Sequence, residues 1–229
     1  MTDPQTAIEV IQAAAAPLKG KRVIDIGCGE GALAAALADL GADVTGIDPE
    51  AGAIMRARSR CPTATLLVGT AENLPMGGES FDVVVMVNSL HHVPVMSMAA
   101  AIAEVKRVLA DGGQFIVIEP EARGSFFNAL RPVEDETEVR MAAQAAISAV
   151  VAAGLWESVG EFAYTRTETF ADVSEFIARV VVVDHSRQQA AERNRGEIET
   201  VFQSACRLTN NGRYALDQPI VASVLRPSR

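Results

Sequence analysis

The sequence predicts an α/β protein: a mostly parallel seven-stranded sheet with helices on both faces, an antiparallel C-terminal strand, and a helical insertion between the last two strands. Three observations predict it. Short β-branched runs alternate with alanine-rich helical stretches from Lys21 to about Pro120, as repeated βαβ units require. Glycines cluster directly after the first of those runs. The 229 residues suffice for one sizeable domain with a modest insertion, so the whole of 1–229 is read as a single domain.

The strand candidates are 22–26, 43–47, 65–68, 82–87 and 114–119, each short, apolar and bounded by Gly, Asp or Pro, as buried parallel strands are. Helices are expected at 31–40, 50–60 and 98–109, where apolar residues such as Ile102, Val105 and Leu109 recur at three-to-four spacing. Right-handed crossovers would gather the loops after the strands along one edge, where such sheets bind ligands. After Pro120 the rhythm changes. A charged segment at 134–140 leads into a helical stretch at 141–153, and strands are expected through 161–170 and 218–225. Between them lies the insertion, 172–214, with helical stretches at 173–183 and 186–207 and a turn at Asn210-Asn211-Gly212. A connection of that length with its own helices reads as a cap over a substrate site or as a packing appendage rather than a structureless loop.

Charge and composition narrow the function. A formal net charge of -9 makes a phosphate backbone or an anionic membrane a poor electrostatic partner. No Lys/Arg run opposes it: Arg187, Arg193 and Arg195 are interrupted by Glu192 and Glu197 and read as a solvated helix face. Aromatics at 5% leave little material for base stacking, so no nucleic-acid partner is expected. Apolar runs such as Val83 to Val87 are far too short for a membrane span, and no membrane insertion is expected. Cys28, Cys61 and Cys206 are odd in number and lack metal-like spacing, which predicts neither a disulfide framework nor a metal site. With no basic signal-like N-terminus, a cytoplasmic location is expected. A homodimer is left open.

The sharpest local signal is Val23-Ile24-Asp25-Ile26-Gly27-Cys28-Gly29-Glu30-Gly31, a strand running into glycines that open a helix. Glycine permits positive φ and lets a ligand lie against bare backbone. Asp48 stands 21 residues after Gly27 at the end of the second strand, the spacing of a carboxylate that takes both ribose hydroxyls. A dinucleotide oxidoreductase is one reading of such a loop. Its third glycine would stand one residue later, however, and nothing after Pro120 resembles a Tyr-x-x-x-Lys pair.

Asp25-Ile26-Gly27-Cys28-Gly29-Glu30-Gly31 resembles motif I of class I S-adenosylmethionine-dependent methyltransferases, which are Rossmann-like. The resemblance continues through Gly69 to Pro75, Phe81 to Val84, Asn88 to Val93 and Arg107 to Gly113, and is similar to the small-molecule branch called methyltransferase type 11, which includes quinone-biosynthesis enzymes. It implies S-adenosylmethionine as cofactor and S-adenosylhomocysteine as product. Within motif I, Asp25, Gly27, Cys28, Gly29 and Gly31 would form the cofactor turn, with the three glycines facing methionine and ribose. Asp48 would take the ribose hydroxyls, Asn88 the methionyl end, and Pro49 would lie near adenine. Thr70 replaces the acidic residue the family commonly places on the adenine amino group, which would leave adenine to the backbone around Ala71 or to Glu72. No Asn/Asp-Pro-Pro-Tyr/Phe stretch follows the fourth strand, which also favours a small acceptor. A non-catalytic module that binds S-adenosylmethionine is the other alternative.

Methyl transfer needs mainly an aligned nucleophile and a dry site, with a general base optional. His91 and His92 are the catalytic candidates, and loop shaping competes for the same pair. His92, Glu119, Arg123, Arg179 and His185 are candidates for contact with a small acceptor bearing an O-, C- or N-nucleophile. Trp156 and Tyr164 read as packing residues.

Overall fold

The computed structural model describes residues 3–182 and 185–228, with backbone alone at 185 and 186. Helix α1 (Ala7–Ala15) begins where the Thr6 hydroxyl accepts the Glu9 N–H, and it buries Val10 and Ile11. Then follow β1 (Arg22–Ile26), α2 (Ala32–Asp39), β2 (Asp43–Asp48), α3 (Ala51–Arg60), β3 (Thr65–Val68), β4 (Phe81–Val87), α4 (Met98–Val108) and β5 (Leu109–Pro120). The second half holds α5 (Ser125–Leu130), α6 (Thr137–Ala152), β6 (Trp156–Phe170), α7 (Val173–Val181), α8 (His185–Arg193), α9 (Arg195–Ala205), β7 (Arg207–Leu208) and β8 (Tyr214–Pro227).

The strands form one sheet in the order β3-β2-β1-β4-β5-β8-β6, with β7 paired antiparallel to β8. The five strands β1 to β5 pair in parallel, as their continuous apolar character predicts. Chain order runs outward from β1 to β2 and β3 on one side, and to β4 and β5 on the other. The crevice beyond the carboxyl ends of β1 and β4 is therefore the topological switch point, where open α/β sheets bind ligands.

Several sequence expectations need correction. Among the described residues the sheet has eight strands rather than seven, because the Asn210-Asn211-Gly212 turn, with Gly212 at φ +78°, closes a short hairpin that pairs Arg207 with Ala215 and Leu208 with Tyr214. The expected helix 186–207 is two helices broken at Asn194, whose side-chain amide donates to the Pro132 carbonyl at 2.6 Å. The expected helix end at Val183 lies outside the described residues. Strand β5 starts five residues earlier than expected. Its register against β4 slips after Phe81↔Leu109, and Gly112 at φ +73° takes up the slack. Helix α6 starts at Thr137, where the Asp135 carboxylate accepts the Thr137 N–H at 3.1 Å, so part of the charged segment is the helix's first turn.

Contact density groups the chain into two compact units, Met1–Glu119 with Ala142–Ala163 and Val221–Arg229, and Pro120–Met141 with Tyr164–Ile220. The first buries Ile24, Ile26, Val84, Met86, Phe115 and Val117 from three central strands, with Ile102 and Val105 of α4 packed against them. Trp156 packs here on Phe115 at 5.6 Å, as expected of it. The second unit has an aromatic core of Phe126, Phe170, Phe176 and Phe202, with Phe170 and Phe176 edge to face at 5.4 Å.

The second unit also buries charge. Arg187 is 6% exposed, contrary to the solvated face read from its neighbours. Its Nη2 donates to Glu136 Oε1 at 2.6 Å, and its Nε pairs with Glu134. Arg140 donates through Nε and Nη2 to Glu136 Oε2 and through Nη1 to Gln218 Oε1 and the Glu121 carbonyl. Each oxygen of Glu136 is thus held by a different guanidinium. Removing one partner of such a group leaves a buried charge undercompensated. Arg140→Met is expected to lower stability by about 3 kcal/mol, read by urea denaturation.

Candidate functional site

Strand β1 delivers its chain to the switch point as Asp25-Ile26, and the next residues turn sharply. Gly27, Gly29 and Gly31 all have positive φ, at +80°, +52° and +77°. The reasons for glycine differ along the turn. A Cβ on Gly27 would stand 2.4 Å from the Ser89 Cβ, and one on Gly31 would stand 2.9 Å from the Ala57 Cβ. Both glycines are therefore required by packing. A Cβ on Gly29 would meet no atom of the described residues within 4 Å, so this position leaves bare backbone there.

Asp48, at the end of β2, holds the turn from the side. Its Oδ2 accepts the Gly29 N–H and its Oδ1 the Glu50 N–H, each at 2.9 Å. A carboxylate has about four acceptor positions, so lone pairs remain on both oxygens. Asp25 is 2% exposed and its Oδ2 has no hydrogen-bond partner among the described residues. Burial, and then the negative charge of Asp48, push its carboxyl up to about 7. Burial likewise pushes the Cys28 thiol up to about 12, so the thiol stays protonated.

After β4, Asn88 takes φ +52°, a left-handed conformation that asparagine tolerates, and its buried Oδ1 also lacks a partner among the described residues. Ser89 turns back onto the glycine turn, its hydroxyl donating to the Ile26 carbonyl at 2.7 Å. Glu119, near the end of β5, gathers this segment. Its Oε1 accepts the N–H groups of Ser89 at 3.1 Å and Leu90 at 2.8 Å, and its Oε2 pairs with His91 Nδ1. Glu119 and His91 are 3% and 4% exposed. His92 is exposed and its ring lies against that of His91, with centroids 4.1 Å apart.

The turn at 69–72 sits beyond β3, the outer neighbour of β2. Thr70 is exposed and bridges Asn73, Ala71 is buried and Glu72 half-buried, while Pro49 is exposed after β2. The structure thus brings Asp25, the glycine turn, Asp48, Asn88, His91, His92 and Glu119 to the carboxyl ends of adjacent strands. The remaining candidates lie in the second unit. Arg123 is largely exposed and pairs with Glu121, and Arg179 is half-exposed and pairs with Glu168. Helix α8 starts at His185, whose side chain lies outside the described residues. Sequence reading missed Ser89, whose role emerges only from its contact with Gly27.

Residues 24–117 match the protein family described as a methyltransferase domain. Over 81 residues, 34% of this chain and 32% of the relative, the sequence is 48% identical to a ubiquinone biosynthesis O-methyltransferase of Azorhizobium caulinodans. The chain spans about a third to a half of the length of the curated relatives it matches first. Among solved structures, a candidate methyltransferase of Bacillus halodurans superimposes with a TM-score of 0.68 at 21% identity, covering 97% of this chain and 98% of that one. An S-adenosylmethionine-dependent methyltransferase of Geobacter sulfurreducens, crystallised with S-adenosylhomocysteine, superimposes with a TM-score of 0.59 at 18% identity over 99% of this chain and 93% of its own. At such identities these superpositions establish the shared fold.

Two expectations follow from the geometry. The Asp25 carboxyl is raised from 3.8 to about 7 on folding, so between those values the folded protein holds a proton that the unfolded chain has lost. Stability from this group therefore falls as pH rises from about 4 to about 7 and levels off above. Asp25→Asn should remove that fall, so its advantage in denaturation midpoint grows across the window; parallel pH profiles would refute the assignment. Secondly, Gly27→Ala should cost clearly more stability than Gly29→Ala. Both incur about 1–2 kcal/mol for a left-handed alanine, and only the first adds a clash, with Ser89. Thermal unfolding of the two variants tests the order.

Proposed function

We propose, on the premise that residues 24–117 belong to the methyltransferase domain family, that this chain binds S-adenosylmethionine at the Gly27–Gly31 turn and methylates a small molecule. The observation that carries the reading is the pair of buried acceptor atoms without partners, Asp25 Oδ2 and Asn88 Oδ1, at the carboxyl ends of the neighbouring strands β1 and β4. A buried acceptor costs free energy unless a donor reaches it, and the ammonium group of a methionyl ligand is such a donor.

When bound, this compound supplies a methyl carbon on a sulfonium leaving group, so the acceptor's lone pair forms the new bond as carbon–sulfur breaks and S-adenosylhomocysteine is released. The chain's own residues then bind and align. Asp48 offers its remaining lone pairs to the two ribose hydroxyls. Gly29 lets the ligand approach the backbone, while Gly27 and Gly31 hold the turn's shape. Because β3 flanks β2, Thr70, Ala71 and Glu72, with Pro49 after β2, are the residues that would hold the base. Cys28, protonated and buried, contributes packing and no nucleophile.

On the acceptor side, His91 and Glu119 act together as positioning residues, since each is buried in their mutual contact. His92, exposed beside them, is the residue we assign to proton removal. The Azorhizobium relative is named for oxygen methylation, and a phenolic or hydroxyl acceptor is where removal of a proton helps most. Arg123 and Arg179 are already neutralised by carboxylates, so an anionic acceptor would have to displace Glu121 or Glu168. The acidic net charge favours a small acceptor over nucleic acid.

Asp48→Ala should weaken S-adenosylmethionine binding by about 2 kcal/mol or more, read by isothermal titration, because a hydrogen bond to a charged group contributes about 1.5–3 kcal/mol. Release of S-adenosylhomocysteine with a panel of phenols, amines and carbon acids tests the reaction. Absence of any binding at millimolar cofactor would overturn the reading.

A further inference from the structure

We propose that Glu104 and Arg107, one turn apart on α4, are positioning residues that set the 69–76 turn and thereby the protein's selectivity for the adenine base. This rests on the binding reading above.

Their hydrogen bonds extend well beyond α4. Arg107 donates through Nε and Nη2 to the two oxygens of Glu104, at 2.7 and 2.6 Å. An i,i+3 pair on a helix surface contributes little by itself. This pair, however, reaches a segment some thirty residues earlier. Arg107 Nη1 donates to the Met76 carbonyl at 2.8 Å and Nη2 to the Leu74 carbonyl at 3.1 Å, while Glu104 Oε2 accepts the Leu74 N–H at 2.9 Å. The backbone carbonyl of Arg107 accepts the Glu79 N–H as well. The Arg107 hydrogen bond and the Leu74 N–H hold the Glu104 carboxyl below its usual range, in keeping with a carboxylate that is charged and engaged.

What the clamp holds continues directly into the proposed base site. Pro75 lies against Gly69, where an added Cβ would come within 3.4 Å of its Cδ, and Asn73 N–H donates to the Thr70 carbonyl. At its other end Gly69 N–H donates to the Asp48 carbonyl. The 69–76 turn is therefore anchored on one side to the strand that presents Asp48 and on the other to α4. With Thr70 where the resemblance implies an acidic side chain, the base would fall to the backbone around Ala71 or to Glu72, and either selects only when the turn's position is set. The Arg fork is what makes the clamp: its planar donors engage two carbonyls and a carboxylate together, which a lysine ammonium cannot do.

Titration calorimetry on the full chain tests this with two ligands, S-adenosylhomocysteine and S-inosylhomocysteine, in which a carbonyl oxygen replaces the adenine amino group. The parent should prefer the adenosyl compound. Arg107→Met should weaken that compound about tenfold and the inosyl compound little, so that the ratio falls toward one. Arg107→Lys should not restore it. Should Arg107→Met fail to fold, Glu104→Gln, which keeps an acceptor for Leu74 N–H but loses the charge, should lower the same ratio by a smaller factor. Equal weakening of both ligands would mean a general structural role and would overturn the clamp while leaving the methyltransferase reading intact. A parent that binds neither ligand would overturn both.

Discussion

The buried Glu119 carboxylate is the constraint on which the switch-point edge of the first unit depends. A carboxylate nearly shut off from water must have its oxygens hydrogen-bonded, and here the donors are Ser89 N–H, Leu90 N–H and the His91 ring. That requirement allows the chain leaving β4 one path. Asn88 is carried into a left-handed conformation, and Ser89 is placed so close to Gly27 that no side chain fits there. The glycine in the first loop is thus explained by a residue 62 positions later, which is itself explained by a carboxylate on a third strand.

Electrostatics at the same edge select the sign of a ligand. Asp25 and Asp48 lie close enough for the second to raise the first, and both stand beside the glycine turn. A pyrophosphate laid along that turn would add two negative charges to this pair, whereas a ligand with an ammonium and a sulfonium would relieve it. This is an independent reason to prefer an adenosyl sulfonium over a dinucleotide, alongside the earlier third glycine.

The second unit meets a different problem, that of building a core from segments separated in the chain. Its phenylalanines come from α5, β6, α7 and α9, and their rings meet largely edge to face. Around them Arg140 and Arg187 converge on Glu136, tying α6 and α8 to one carboxylate. Removing either guanidinium would leave the buried Glu136 carboxylate undercompensated, so the three side chains hold one another in place.

Local pattern was enough for the five parallel strands, the helices between them, the glycine turn and the Asp48 spacing, because each is governed by a period or a backbone conformation that a few neighbouring residues dictate. The sequence by itself therefore determined the sheet's first half and the place of the glycine turn and Asp48 at its switch-point edge. It could not show that Arg187 is buried rather than solvated, that Glu119 organises the loop after β4, that Arg107 grips carbonyls 31 and 33 residues away, or that a two-residue strand closes a hairpin onto β8. Those were decided by tertiary structure. A charged side chain's partner depends on which distant backbone is brought within about 3 Å of it, and no periodicity along the chain carries that information.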